Sequence, residues 1–66
     1  MIELIGTNAG QIWNALNASN GQTGKALKKS AKLKSDKDLY AALGWLAREG
    51  KVNIEKSGDD IVVTLL

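Results

Sequence analysis

The sequence predicts a small α+β domain, three helices followed by a C-terminal β-hairpin. Three observations predict it. Apolar residues recur at helical spacing in two segments, Ala9, Ile12, Trp13 and Leu16, then Leu39, Ala42, Leu43 and Leu46. Gly50 follows the second stripe where a left-handed helix stop belongs. The tail then alternates, with Val52 and Ile54 set against Asn53 and Glu55, and Ile61, Val63 and Leu65 set against Val62, Thr64 and Leu66. Between these two runs "KSGDD" supplies a glycine-containing turn, so the tail reads as a hairpin.

At the start, Ile2 and Leu4 alternate with Glu3, which fits a short N-terminal strand or extended arm. Asn8 is placed to cap a first helix over roughly 9–18, with Gln11 as its reciprocal partner. Trp13 sits on the apolar stripe of that helix and is expected in the core. "NASNGQ" is rich in turn formers and reads as a connection. Thr23 caps a second helix of roughly 24–31, with Ala26, Leu27 and Ala31 inward and Lys25, Lys28, Lys29 and Lys32 outward. Leu33 falls in the following turn, where it plugs the gap between helices. Ser35 opens the third helix with Asp38 as a short capping-box partner, and Arg48 suits the dipole at its far end. The hairpin turns Val52, Ile54, Ile61, Val63 and Leu65 inward. Residues 1–66 make one domain.

A chain of 66 residues leaves no room for a sizeable internal cavity, because a fold this short buries only about 60% of its unfolded surface. It contains no Cys and no His, which removes disulfides, thiolate zinc sites and the commonest general base. No pair of residues resembles a nucleophile with its base, so enzyme activity is not expected, nor a cofactor, a metal or a small-molecule substrate. "GQTGKA" has the glycine and lysine of a phosphate loop at Gly24 and Lys25, but Ser19 stands where the earlier glycine is required and Ala26 where a hydroxyl must hold magnesium. Asp59 and Asp60 fit turn chemistry better than cation binding. No apolar run approaches the roughly 18 residues of a membrane span, and no basic leader precedes the first apolar run, so a cytoplasmic protein without membrane contact is expected.

Net charge is +2, unevenly spread: residues 20–38 hold six lysines against two aspartates, while the remainder is acidic. Such a segment is either a phosphate-contacting patch or a solvated lysine face.

Taken together, "TGKALKKSAKL", "SDKDLYAALGWLAREGKV" and "NIEKSGDDIVV" resemble the second helix, recognition helix and wing of a winged helix-turn-helix domain, over roughly residues 8–66. "NAGQIWNAL" with "LYAALGWLAREGKV" is similar, more narrowly, to a family of small standalone bacterial winged-helix proteins of unassigned function. The resemblance implies a third helix entering the major groove, with a wing near the backbone. It places Ser35, Lys37, Tyr40, Ala41 and Gly44 toward DNA, with Lys25, Lys28, Lys29 and Lys34 on phosphates. Asp36, Asp38, Asp59 and Asp60 oppose that reading, since carboxylates at the helix tip and wing repel a polyanion. The rival is a protein-contact module, a homodimer joined through Ile5, Trp45, Val62 and Leu66, which the core stripes do not use.

Overall fold

The computed structural model describes residues 1–66. It contains helices α1 (Ile2–Ala18), α2 (Gly24–Ser30) and α3 (Asp36–Arg48), and strands β1 (Gln22–Thr23), β2 (Val52–Ser57) and β3 (Asp60–Leu65). The strands form one antiparallel sheet in the order β1-β3-β2, with the β2–β3 hairpin at the C-terminus. The α+β class, the three helices and the hairpin wing stand as the sequence predicts.

The core is a single cluster of 11 buried residues, among them Ile12 and Leu16 from α1, Leu27 from α2, Leu39, Leu43 and Leu46 from α3, and Val52 and Val63 from the hairpin. Leu33, Ile61 and Leu65 are half-buried against it. Both apolar stripes and the alternating tail therefore bury one common surface, which is the main driving force available to so short a chain.

The N-terminal segment departs from expectation. It is neither strand nor arm: α1 begins at Ile2, and Asn8 lies buried inside the helix, not at its cap. Met1 occupies the cap position and makes no side-chain cap hydrogen bond. A three-residue alternation at Ile2–Leu4 is too short to outweigh continuation of a helix already fixed by Asn8, Ala9, Ile12 and Leu16 packing on the core. Trp13 is also misplaced by periodicity: it stays 40% exposed at the edge of the stripe, because Ala9, Ile12 and Leu16 take the positions facing α3 and the sheet. Ala26 is exposed too, leaving Leu27 and Ala31 as the inward residues of the second helix. Ile54, expected to face inward, pairs with the buried Val63 yet remains 37% exposed.

Strand β1 is the element that periodicity does not reveal, since two residues show no alternation. It is held by side chains of the connection. Gln22 Nε2 donates to the carbonyls of Ala15 (3.1 Å) and Ser19 (2.8 Å), and Ser30 Oγ donates to Gln22 Oε1 (2.7 Å). Asn20 Oδ1 accepts from the amide of Leu65 at 2.8 Å, fastening the connection to β3.

The helix ends follow ordinary capping chemistry. Thr23 Oγ1 accepts from Ala26 N (3.2 Å), and Ser35 Oγ accepts from Asp38 N (3.2 Å). Helix α3 closes through Gly50 (φ 71°), with Lys51 N donating to Leu46 O and Gly50 N to Ala47 O, each at 3.0 Å. The same paired bonds end α2, from Leu33 N to Lys28 O (2.9 Å) and Lys32 N to Lys29 O (3.1 Å). There the left-handed position belongs to Lys32 (φ 59°), not to a glycine. Lys32→Gly should therefore stabilise the domain by about 0.5–1 kcal/mol by relieving the Cβ clash of that conformation. A urea midpoint unchanged or lowered by the substitution would contradict this.

Candidate nucleic-acid interface

The outward face of α3 follows from its inward one. Leu39, Ala42, Leu43 and Leu46 are buried, so Lys37, Ala41, Gly44 and Arg48, which recur at i, i+4, i+7 and i+11, lie on the opposite side and are exposed. Nothing lies within 4 Å of where a Cβ on Gly44 would stand, so the middle of this face is flat and open. Tyr40, 52% exposed, borders the wing and shares a hollow with Ile54, Lys56 and Asp59. No helix here is long and apolar enough to cross a membrane.

Of the nine residues expected to meet nucleic acid, Ala41 and Gly44 lie on the exposed face of α3, and the other seven divide by what already holds them. Lys25, Lys29, Lys34 and Lys37 are exposed and take part in none of the three ion pairs of the chain. Tyr40 is exposed and shares a hollow with Lys25, Lys28, Asp36, Asp59 and Asp60. Lys28 is committed: its Nζ lies 3.2 Å from Asp36 Oδ1, tying α2 to the start of α3. Ser35 is committed as the α3 cap, although the return bond from its own amide to Asp38 does not form.

The four aspartates that oppose an anionic partner are similarly divided. Asp36 is paired with Lys28. Asp60 turns away from the wing tip toward the first turn of α2, where Oδ2 accepts from Lys25 N at 3.2 Å and Oδ1 from Ile61 N at 2.7 Å. Those backbone bonds, first that of Ile61 and then that of Lys25, hold the Asp60 carboxyl below the usual aspartate range, with the Lys25 charge adding to them. Asp38 is half-buried, so Asp59 alone of the four is both exposed and unpaired.

Gly24 is explained by the same contact. A Cβ there would stand 2.5 Å from Asp60 Oδ1, so glycine lets α2 and β3 approach. Residues 24 and 60 are too far apart in the chain for a local pattern to pair them.

Because the Asp60 carboxylate titrates lower in the folded chain than in the unfolded one, its contribution to stability is complete above the ordinary aspartate range and is lost as the pH falls through the lowered folded value. Asp60→Asn should lower the urea midpoint at neutral pH, and the midpoints of variant and parent should converge as the pH falls through the lowered folded value. A gap that stays constant with pH would rule out this role.

The residues proposed for self-association do not form one surface. Trp45, 37% exposed, stands beside α1 and lines a hollow with Trp13. Ile5 is half-buried on α1. Val62 alternates with the buried Val63, so it lies on the sheet face turned away from the helices, between Thr23 and Glu55. Leu66, 78% exposed, follows the last strand, its amide bonded to Lys51 O.

A family model, Winged helix-turn-helix domain (DUF2582), matches residues 1–65, and the chain belongs to that family. The solution NMR structure of protein BT2368 from Bacteroides thetaiotaomicron is similar, with a TM-score of 0.81 and 38% identity over 96% of this chain and 76% of that one. No curated protein matches the chain.

Proposed function

We propose that this member of the DUF2582 winged helix-turn-helix family binds duplex DNA as a small regulator or accessory factor, gripping phosphates more than bases. The observation that carries the proposal is that Asp36 is paired at the surface with Lys28 and that Asp60 is bonded to the Lys25 and Ile61 amides, which leaves it charged but turned from the wing tip toward α2. With those two carboxylates held by contacts within the chain, Lys25, Lys29, Lys34 and Lys37 remain free on the side that winged helices turn toward DNA. Helix α3 enters the major groove with Lys37 and Arg48 flanking the flat stretch of Ala41 and Gly44. Neither of those two small residues can donate or accept through a side chain, so discrimination between base pairs is low. An affinity near 10⁻⁵ M, roughly that of non-specific binding, is expected.

An amide-shift titration with random-sequence duplex at low salt tests this. Shifts concentrated between Lys25 and Tyr40 and at Arg48 support it. A spectrum that does not move contradicts it. The alternative of protein contact without DNA is favoured, among its four residues, by Trp45, which lines one hollow together with the exposed Trp13.

A further inference from the structure

We infer that the exposed face of α3 reads the methyl group at C5 of a pyrimidine in the major groove, with Ala41 and the open backbone at Gly44 setting that preference. The inference rests on the reading that α3 enters duplex DNA, and it adds what the helix selects there. Lys37, Ala41, Gly44 and Arg48 share one face of α3, and all four are exposed. Lys37 and Arg48 stand roughly 16 Å apart along the helix axis, at about 1.5 Å per residue. The major groove is about 12 Å wide, so cations at that spacing meet its phosphate walls while the helix between them faces base edges.

Between the two cations this face carries no polar side chain. Ala41 presents a single methyl group and Gly44 only hydrogen. Their backbone groups lie in mid-helix and are bonded within it. Tyr40 and Ala47, seven residues apart and both exposed, run along one edge of the strip. Nothing lies within 4 Å of a Cβ built on Gly44, so packing inside the chain does not require the glycine, although it costs helix stability. What the glycine provides is a helix surface without a side chain, where a partner's atoms can come up to the backbone.

The chemistry of the strip selects its target. Every base pair shows donors and acceptors in the major groove, and a side chain that cannot bond them leaves them unpaired. The C5 methyl of thymine is the apolar group that the groove contains. Cytosine methylated at C5 carries the same group on a G·C pair. A methyl set against Ala41 and Gly44 leaves water together with the alanine, and no hydrogen bond is broken. Each methyl so covered should raise affinity about fourfold. That gain is small beside a bidentate side-chain contact, and it suits a protein that grips chiefly through phosphates.

Fluorescence anisotropy with four duplexes of one length tests this. Two share an A·T-rich sequence, made with thymine or with uracil; two share a G·C-rich sequence, made with cytosine or with 5-methylcytosine. Exchanging thymine for uracil removes the methyl and keeps every hydrogen-bonding group. The parent should bind the methylated member of each pair at least about fourfold more tightly. Gly44→Gln adds a good helix former where the chain has open space, so circular dichroism should show the fold intact. Its long side chain holds the helix off the bases and should bring both ratios to about one. Equal binding within either pair by the parent overturns the inference and leaves DNA binding through phosphates standing. A methyl preference that survives Gly44→Gln overturns it as well. A preference for A·T pairs that uracil preserves is the same negative, since it reports groove shape. Failure to bind any of the four duplexes removes the DNA reading itself, and the inference with it.

Discussion

Leu43→Ala should lower the melting temperature of the domain by roughly 15–20 °C, the largest stability change expected of any single substitution in α3. Leu43 is 1% exposed within the cluster that joins α1, α2, α3 and the hairpin. Removing a buried leucine typically costs about 3 kcal/mol, through lost transfer energy and the cavity left behind. A domain of this size has only about 3–10 kcal/mol in total. The substitution thus consumes a large share of the stability, and thermal unfolding followed by circular dichroism reads it directly. Ala41→Ser, two residues earlier on the exposed face of the same helix, should leave the midpoint within about a degree or two. Equal effects at the two positions would mean that α3 does not present Leu43 to the core.

Reversing two free lysines should have the largest effect on binding. Lys29→Glu combined with Lys37→Glu should weaken duplex binding by at least about a hundredfold at low salt, since each change removes a phosphate contact and adds a repulsion. Both side chains are exposed and outside every ion pair, so the fold should be untouched. Fluorescence anisotropy of a labelled duplex measures the loss, and circular dichroism verifies the fold. Lys28→Gln should weaken binding for a different reason: it releases the Asp36 carboxylate, now 3.2 Å from the Lys28 ammonium, to face the phosphates. An unchanged affinity in the double reversal would remove the lysine face from the interface.

Much of this architecture is legible in the sequence because it rests on periodicity. The stripe from Leu39 to Leu46, the glycine stop at Gly50 and the alternation on either side of "KSGDD" each repeat a single physical rule often enough to be read. The caps at Thr23 and Ser35 are legible for the same reason: a hydroxyl three residues before a free amide is a local relation. What periodicity misreads is the edge of a stripe. Trp13 has core spacing, but the helix turns it just far enough to leave it half outside. The N-terminal turns of α1 fail for lack of length, since Ile2–Leu4 offers too few residues to separate strand from helix.

The site is less legible than the fold. The lysines are visible in the sequence, but their availability is not. Whether Lys28 is free depends on Asp36 across a turn, and whether the wing is acidic depends on Asp60 reaching an amide 35 positions away in the chain. Sequence alone counts four aspartates against DNA; three-dimensional contacts answer two of them. Strand β1 is invisible for a related reason, because Gln22 and Asn20 secure it through bonds to α1 and β3, not through any pattern of their own.

The salt dependence of duplex binding tests most directly the claim that a lysine face stands open beside aspartates already held by contacts within the chain. Affinity measured by anisotropy between about 20 and 200 mM salt should fall with a log–log slope of roughly −3 to −4, matching release of counterions by Lys25, Lys29, Lys34 and Lys37. A slope near zero, or no binding at the lowest salt, would contradict it.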